Sequence, residues 1–162
     1  MVVVDMKSEI RESLTGELVQ LICLGKLLMN GKSASDKRLA FIVIDNAVEI
    51  ALKSYATWHN LIKVSKSNTK TISLILSKLK NQNKIVSYEK RTILKYHVTA
   101  NELYNKQKVS QLNDKTIEDY LTLARIILAN LYDFRASKLE WQKLVHKTAK
   151  SLCTHLAHHG IR

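Results

Sequence analysis

The chain has 162 residues with a formal net charge of +12, no proline and four glycines. A chain of this length can bury a sizeable core, so we interpret residues 1–162 as a single domain. No apolar run approaches the roughly 20 residues that span a bilayer, and the opening MVVVDM is too short for a signal-peptide core. We therefore expect a cytoplasmic protein without a membrane span.

Scarce proline and glycine favour long helices, because these two residues are the usual interruptions of regular structure. Apolar residues at helical spacing predict an all-α fold, an up-and-down bundle of five to six helices with mostly antiparallel neighbours. The second helix is apolar nearly all round, which is typical of a central, buried element. The predicted helices cover residues 6–30, 36–58, 69–83, 86–106, 114–134 and 137–160.

Several polar residues lie where helix N-caps are expected. Ser35, Asn68 and Asn113 precede the second, third and fifth helices, and their side-chain oxygens suit the free N–H groups of a helix start. Ser137 and Glu140 have the spacing of a capping box. Together these residues predict where four of the helices begin.

The cysteines and the C-terminal histidines form no convincing metal-binding pattern. Cys23 and Cys153 have neither a metal-ligand spacing nor that of a disulfide framework, and we expect two buried thiols on helices. His155 and His159 are four residues apart, a genuine ligand spacing, but no acidic third ligand lies nearby. We therefore expect no metal and no cofactor.

The positive charge is the strongest global signal of the chain. An excess of this size suits a polyanionic partner, since each Lys or Arg brought to a phosphate releases condensed counterions. A lysine-rich solvated surface is the other interpretation. Nucleic acid is therefore the class of partner that the charge favours.

The second helix carries an acidic row on an otherwise apolar surface. Asp45 and Glu49 are four residues apart and share a face, which Lys53 extends. Carboxylates in such surroundings are costly unless they are paired or face a cavity. Either Glu49 pairs with Lys53 while Asp45 bonds a neighbouring helix, or the row positions a base or a cation that another helix supplies.

The stretch KYHVTANELYNKQ, residues 95–107, places several polar groups on one face of the fourth helix. His97, Asn101, Tyr104 and Asn105 follow helical spacing, and Ala100 lies between them. A histidine there suits general-base chemistry, and the amides and the phenol suit a phosphate or a base edge. The alternative is a polar helix face covered by solvent.

The segments RLAFIVIDNAVEIALKSY and KYHVTANELYNKQ, about fifty residues apart, resemble the HEPN superfamily of small helical-bundle proteins. Many of these proteins are metal-independent ribonucleases that work as dimers. The resemblance covers residues 38–134. In such relatives the second segment reads approximately Y-H-x-x-R-N-x-L-Y-H. The matching residues are Tyr96, His97, Asn101, Leu103 and Tyr104.

The two residues most important for the family's chemistry are replaced here. Ala100 stands at the arginine position and Asn105 at the final histidine position. Alanine cannot stabilise charge at a phosphate, and asparagine cannot exchange a proton near neutral pH. Because acid–base catalysis contributes roughly 10²–10⁴-fold, the resemblance implies a degenerate ribonuclease site.

The resemblance also implies a homodimer that binds RNA or a protein partner such as an antitoxin, in a toxin–antitoxin or antiviral defence setting. Lys95, Lys106 and Lys108 would then surround the cleft and contact nucleic acid. An active endoribonuclease is one alternative, if Ala100 is an engineered residue or if His97 serves with Arg91. A non-catalytic adaptor in a nucleoprotein assembly is the other.

Overall fold

Six α-helices account for most of the chain in a computed structural model, which describes residues 6–62, 69–105 and 112–158, the side chains of residues 6–8, 156 and 158 excepted. No strand occurs within these ranges. The prediction of an all-α bundle is therefore confirmed. The helices are α1 (Met6–Met29), α2 (Ala34–Trp58), α3 (Thr69–Asn81), α4 (Ser87–Asn105), α5 (Asp114–Tyr132) and α6 (Lys138–His158).

Helix α2 begins after Ser33, before the N-cap predicted from the sequence. The Ser33 hydroxyl accepts the Asp36 N–H at 3.0 Å, and the Asp36 carboxylate accepts the Ser33 N–H at 3.1 Å. The prediction of Ser35 as the cap is wrong, because Asp36 stands at the right distance along the chain to complete a capping box with Ser33. Ser35 lies in the first turn of the helix.

Two other helix starts agree with the sequence. Asn113 Oδ1 accepts the Thr116 N–H at 2.8 Å before α5. The Ser137 N–H donates to Glu140 Oε2 at 2.6 Å, and the Glu140 N–H donates to the Ser137 hydroxyl at 3.3 Å. These side chains satisfy N–H groups that have no partner inside the helix. Asn68 lies outside the described residues.

Helix α2 lies at the centre of the bundle, as its apolar sequence predicted. It packs against α1, α3, α4 and α5, whereas α6 packs against α1. Phe41, Ile44 and Leu52 of α2 are fully buried. Gly25 lets α1 approach this helix closely, because a Cβ at that position would lie 2.6 Å from Cγ1 of Ile44.

The neighbours of α2 run in different directions. Arg38, near the start of α2, donates to the Leu103 carbonyl near the end of α4, so these two helices are antiparallel. Lys37 pairs with Asp114 at the start of α5. The Tyr132 hydroxyl, at the end of α5, donates to a carbonyl in the second half of α2 at 2.7 Å. Helices α2 and α5 are therefore parallel, and the middle of α2 meets the middles of both α4 and α5.

The two cysteines have different surroundings. Cys23 is fully buried, as expected, and burial raises the pKa of its thiol. Cys153 is exposed, so the expectation of a second buried thiol is wrong. Helix α6 packs against α1, and its Trp141 also contacts Arg125 of α5, which leaves much of the circumference of α6, including Cys153, in solvent. Within the described ranges, no helix combines the length and apolarity needed to cross a membrane.

Candidate functional site

A buried carboxylate joins α2, α4 and α5 at the middle of the bundle. The Asp45 oxygens lie 3.0 and 3.2 Å from Nδ1 of His97, and the Tyr120 hydroxyl donates to Oδ1 at 2.5 Å. Asp45 is 4% exposed and His97 is 3% exposed. We call these three residues the Asp45 network. Each of the three helices contributes one member.

The Asp45 network stabilises a proton on the His97 ring. Burial alone lowers the pKa of His97, since it disfavours the charged imidazolium. The hydrogen bond to Asp45 and the negative charges of Asp45 and Glu49 outweigh that effect, although Lys53 opposes them, and the pKa of His97 is raised. Nδ1 therefore carries a proton that it donates to the carboxylate.

Tyr120 supports the same carboxylate from α5. Its side chain is fully buried, and burial together with the charge of Asp45 raises the pKa of its phenol well above the ordinary value. The hydroxyl thus stays protonated and donates to Asp45. Its ring packs against Phe41 and Tyr96 at centroid distances of 5.1 and 4.9 Å, which holds the hydroxyl in place.

The second ring nitrogen of His97 is covered by its own helix. Asn101 Nδ2 lies 3.2 Å from Nε2 of His97, and the Asn105 amide donates to the Asn101 carbonyl at 2.8 Å. In this orientation the Asn101 amide can donate to Nε2 of a neutral ring. If the amide turns over, its oxygen can accept the N–H of a charged ring. A polar row therefore runs from buried Asp45 to exposed Asn105.

Glu49 lies beside the network and pairs with Lys53 on the next turn of α2. Asp45, Glu49 and His97 each offer one atom that could coordinate a metal ion, and these three atoms lie within 4.8 Å of one another. The expectation of no metal rested on the cysteines and the C-terminal histidines; the sequence did not reveal this group, because its histidine comes from another helix. Each of the three already has a hydrogen-bond or ionic partner, and a cation would have to displace some of these partners.

The pairings that the first interpretation of the acidic row predicted are confirmed. Glu49 pairs with Lys53, and Asp45 bonds neighbouring helices. The row also contacts a histidine of another helix, His97, and a role for that histidine as a base stays a prediction. The interpretation of His97 as part of a solvated face is wrong, because α4 turns this residue toward α2.

The other predicted site residues do not share one environment. Ala100 is 3% exposed and faces the core, whereas Tyr104 is 74% exposed and Asn105 is exposed. Residues that share one side of α4 therefore differ in burial, with His97 and Ala100 in the core and Tyr104 in solvent. Arg91 and Lys95 are also exposed. The structure thus separates Arg91 in solvent from buried His97.

Lys106 and Lys108 lie outside the described residues. Their contacts with nucleic acid therefore stay a prediction.

Most of the net charge belongs to one part of the chain. Residues 63–113 contain eleven Lys and Arg against two Asp and Glu, a net +9 of the total +12. The described part of this segment is α3, α4 and the turn between them, residues 69–105, with seven Lys and Arg against two Glu, a net +5; we call it the basic hairpin. A charge count in segments would have found this region from the sequence. Its exposed cations are Lys70, Lys78, Lys80, Lys84, Arg91 and Lys95.

These six cations form no ion pair with any residue that the structure describes. The hairpin contains only two acidic residues, and one of them, Glu89, accepts the Val86 N–H at 2.8 Å. The seventh cation of the hairpin, Lys90, donates to the Ser77 hydroxyl at 2.8 Å. The hairpin therefore presents an excess of positive charge that the described part of the fold does not neutralise.

The Asp45 network and the basic hairpin are suited to different tasks. An aspartate that orients a histidine is an arrangement used in acid–base chemistry, but here Nε2 of His97 meets Asn101 and the ring is buried. The network links three helices, and the hairpin offers a surface for a polyanion. No protein-family model, curated protein or solved structure matches the chain.

Proposed function

We propose that this protein binds RNA through the basic hairpin and does not cleave it. The observation that carries the proposal is a concentration of positive charge: six exposed cations between Lys70 and Lys95 that form no ion pair with any described residue. Cations that have no protein partner are free to contact phosphates, and each contact releases counterions from the nucleic acid. The resemblance to HEPN proteins, many of which act on RNA, agrees with this choice of polyanion.

The surroundings of the motif support binding without catalysis. His97 is buried with both ring nitrogens engaged. Ala100 has no charge to offer a phosphate, and Asn105 has no proton to exchange near neutral pH. Loss of acid–base help costs roughly 10²–10⁴-fold in rate. The homodimer and the defence setting are further expectations of the resemblance.

In this proposal the Asp45 network has a structural role. It links the face of α4 that contains His97 to α2 and α5, and the opposite face of α4 contains Arg91 and Lys95. A firmly held helix presents its cations in one arrangement, which lowers the conformational entropy lost on binding.

The proposal is tested by measuring the anisotropy of fluorescently labelled single-stranded RNA at increasing salt. If all six cations contact phosphates, the logarithm of affinity falls against the logarithm of salt with a slope of about −4. The hairpin variant replaces three of these cations by glutamine: Lys78→Gln, Arg91→Gln and Lys95→Gln. We expect its slope to be shallower by about 2.

A matched control removes the same charge from α6, which contacts neither helix of the hairpin. It replaces three exposed lysines: Lys143→Gln, Lys147→Gln and Lys150→Gln. The control should keep the wild-type slope. Equal losses in both variants would contradict a site on the hairpin. No affinity at moderate salt, or affinity without salt dependence, would favour the adaptor interpretation.

Cleavage is tested separately by incubating the protein with labelled tRNA and mRNA. We expect intact RNA, because the positions of the family motif hold Ala100 and Asn105. Cleavage by the wild-type chain that is lost in His97→Ala would overturn the non-catalytic part of the proposal. Cleavage by an Ala100→Arg/Asn105→His variant alone would support a degenerate site.

A further inference from the structure

We infer that the RNA is recognised as a single strand, with the ring of Tyr88 stacked on an unpaired base. This inference rests on the proposed function and specifies the form of its ligand. Tyr88 lies in the first turn of α4 and is 64% exposed. It is a large aromatic surface in solvent, next to the turn that joins the two helices of the basic hairpin.

Cations lie along the same side of the helix as this ring. Arg91 follows Tyr88 by three residues and Lys95 by seven, and both are exposed. These spacings place the three side chains on one face of α4, with the cations about 5 and about 10 Å along the axis from the tyrosine. A strand that follows this face meets the ring first and then two phosphate-binding groups.

Two hydrogen bonds and one buried side chain hold the backbone just before Tyr88. The Glu89 carboxylate accepts the Val86 N–H at 2.8 Å. The Asn130 amide of α5 donates to the Lys84 carbonyl at 2.9 Å, and Ile85 is 3% exposed. Lys84 is itself an exposed cation, so positively charged residues lie on both sides of Tyr88 along the chain. Little ordering is needed before a base can stack.

A single exposed tyrosine is ordinary on a protein surface. The hairpin differs because, besides its cations, it carries five of the large exposed hydrophobic side chains: Leu74, Val86, Tyr88, Val98 and Tyr104. Phosphates satisfy the cations, but only bases offer flat apolar faces to these side chains. In a duplex those faces are stacked on one another, whereas a single strand can present them to an aromatic ring.

The experiment compares three unlabelled competitors against a labelled single-stranded RNA: the same strand, its duplex and heparin, a polyanion without bases. Wild-type protein should prefer the single strand to the duplex at equal phosphate concentration. Tyr88→Leu, which keeps an apolar side chain but has no aromatic face, should lose roughly tenfold in affinity for the single strand. Its affinity for heparin should equal that of the wild type.

Tyr88→Phe is the matched control, since it keeps the ring and loses only the hydroxyl. It should retain wild-type affinity for all three competitors. Circular dichroism should give the same helical content for both variants, because the side chain is exposed. An equal loss of heparin and single-strand affinity in Tyr88→Leu would overturn the stacking role.

The possible failures are distinguishable. If the wild type binds the single strand, the duplex and heparin equally and Tyr88→Leu behaves as the wild type, the stacking inference is wrong while RNA binding by the hairpin stands. If none of the three polyanions binds at moderate salt, the proposed function itself is wrong.

Discussion

Charged residues are arranged differently in the three-helix core, formed by α1, α2 and α5, and in the basic hairpin. Every Lys or Arg ion pair between described residues lies on the core helices or on the residue that caps α5. The pairs are Arg11–Asp133, Lys26–Glu118, Lys37–Asp114 and Lys53–Glu49. The hairpin has six exposed cations and none of these pairs.

This difference separates charges that join helices from charges that remain available to a ligand. Lys26–Glu118 and Lys37–Asp114 link elements of the core, at 2.8 and 2.7 Å. In the hairpin, neighbouring cations repel one another, which is unfavourable for folding but favourable for a polyanion. The net charge of the whole chain therefore understates how basic one region of it is.

Removal of the buried carboxylate should have the largest effect on stability. We expect Asp45→Ala to lower the free energy of unfolding by about 3–5 kcal/mol, because it leaves His97 and Tyr120 without their acceptor and opens space in the core. Urea denaturation measures the change. The control is Asp114→Asn, in an exposed pair, which should cost less than about 1 kcal/mol. Equal effects would remove the distinction between the buried network and the surface pairs.

The Asp45 network should also make stability depend on pH. The pKa of His97 is raised in the folded state from its ordinary value of 6.5, so the folded protein holds a proton that the unfolded chain releases. The extra stability is complete below pH 6.5 and is lost as pH rises through the folded-state pKa. The slope is at most about 1.4 kcal/mol per pH unit for one proton.

Urea denaturation at several pH values above and below 6.5 tests this dependence. His97→Gln, which can still donate to Asp45 but does not titrate, should flatten the curve. A wild-type stability that rises with pH in this interval would contradict the direction of the pKa shift.

The smallest stability effects are expected in the hairpin. Lys78→Gln, Arg91→Gln and Lys95→Gln should each change the free energy of unfolding by less than about 0.5 kcal/mol, because these side chains are exposed and form no described ion pair. Thermal unfolding of each single variant is the measurement. A loss above about 1 kcal/mol in any of them would show that the hairpin cations have structural partners, as the core cations do.

Local features of this fold were predictable from the sequence. Apolar spacing predicted the helices, and the Asn113 cap, the Ser137–Glu140 box and the Glu49–Lys53 pair all depend on residues within four positions of each other. The Ser35 cap was wrong because two serines compete there, and only Ser33 has a carboxylate three positions later.

The residues of the candidate site could be named from the sequence, but their environments could not. Local spacing places His97, Ala100 and Tyr104 on one side of α4, yet two are buried and the third is 74% exposed. Burial depends on where the neighbouring helices end, because a helix face is covered only along the length of its partners.

The sequence by itself determined that the chain forms helices, where most of them begin and which stretch is most basic, since these properties depend on residue type and short-range spacing. Only the tertiary structure decided that Asp45 meets a histidine 52 residues away and a tyrosine 75 residues away. It also decided that the core cations find carboxylates while the hairpin cations find none among the described residues. Such pairings depend on how the helices pack, and the distance between two side chains in a bundle is independent of their separation along the chain.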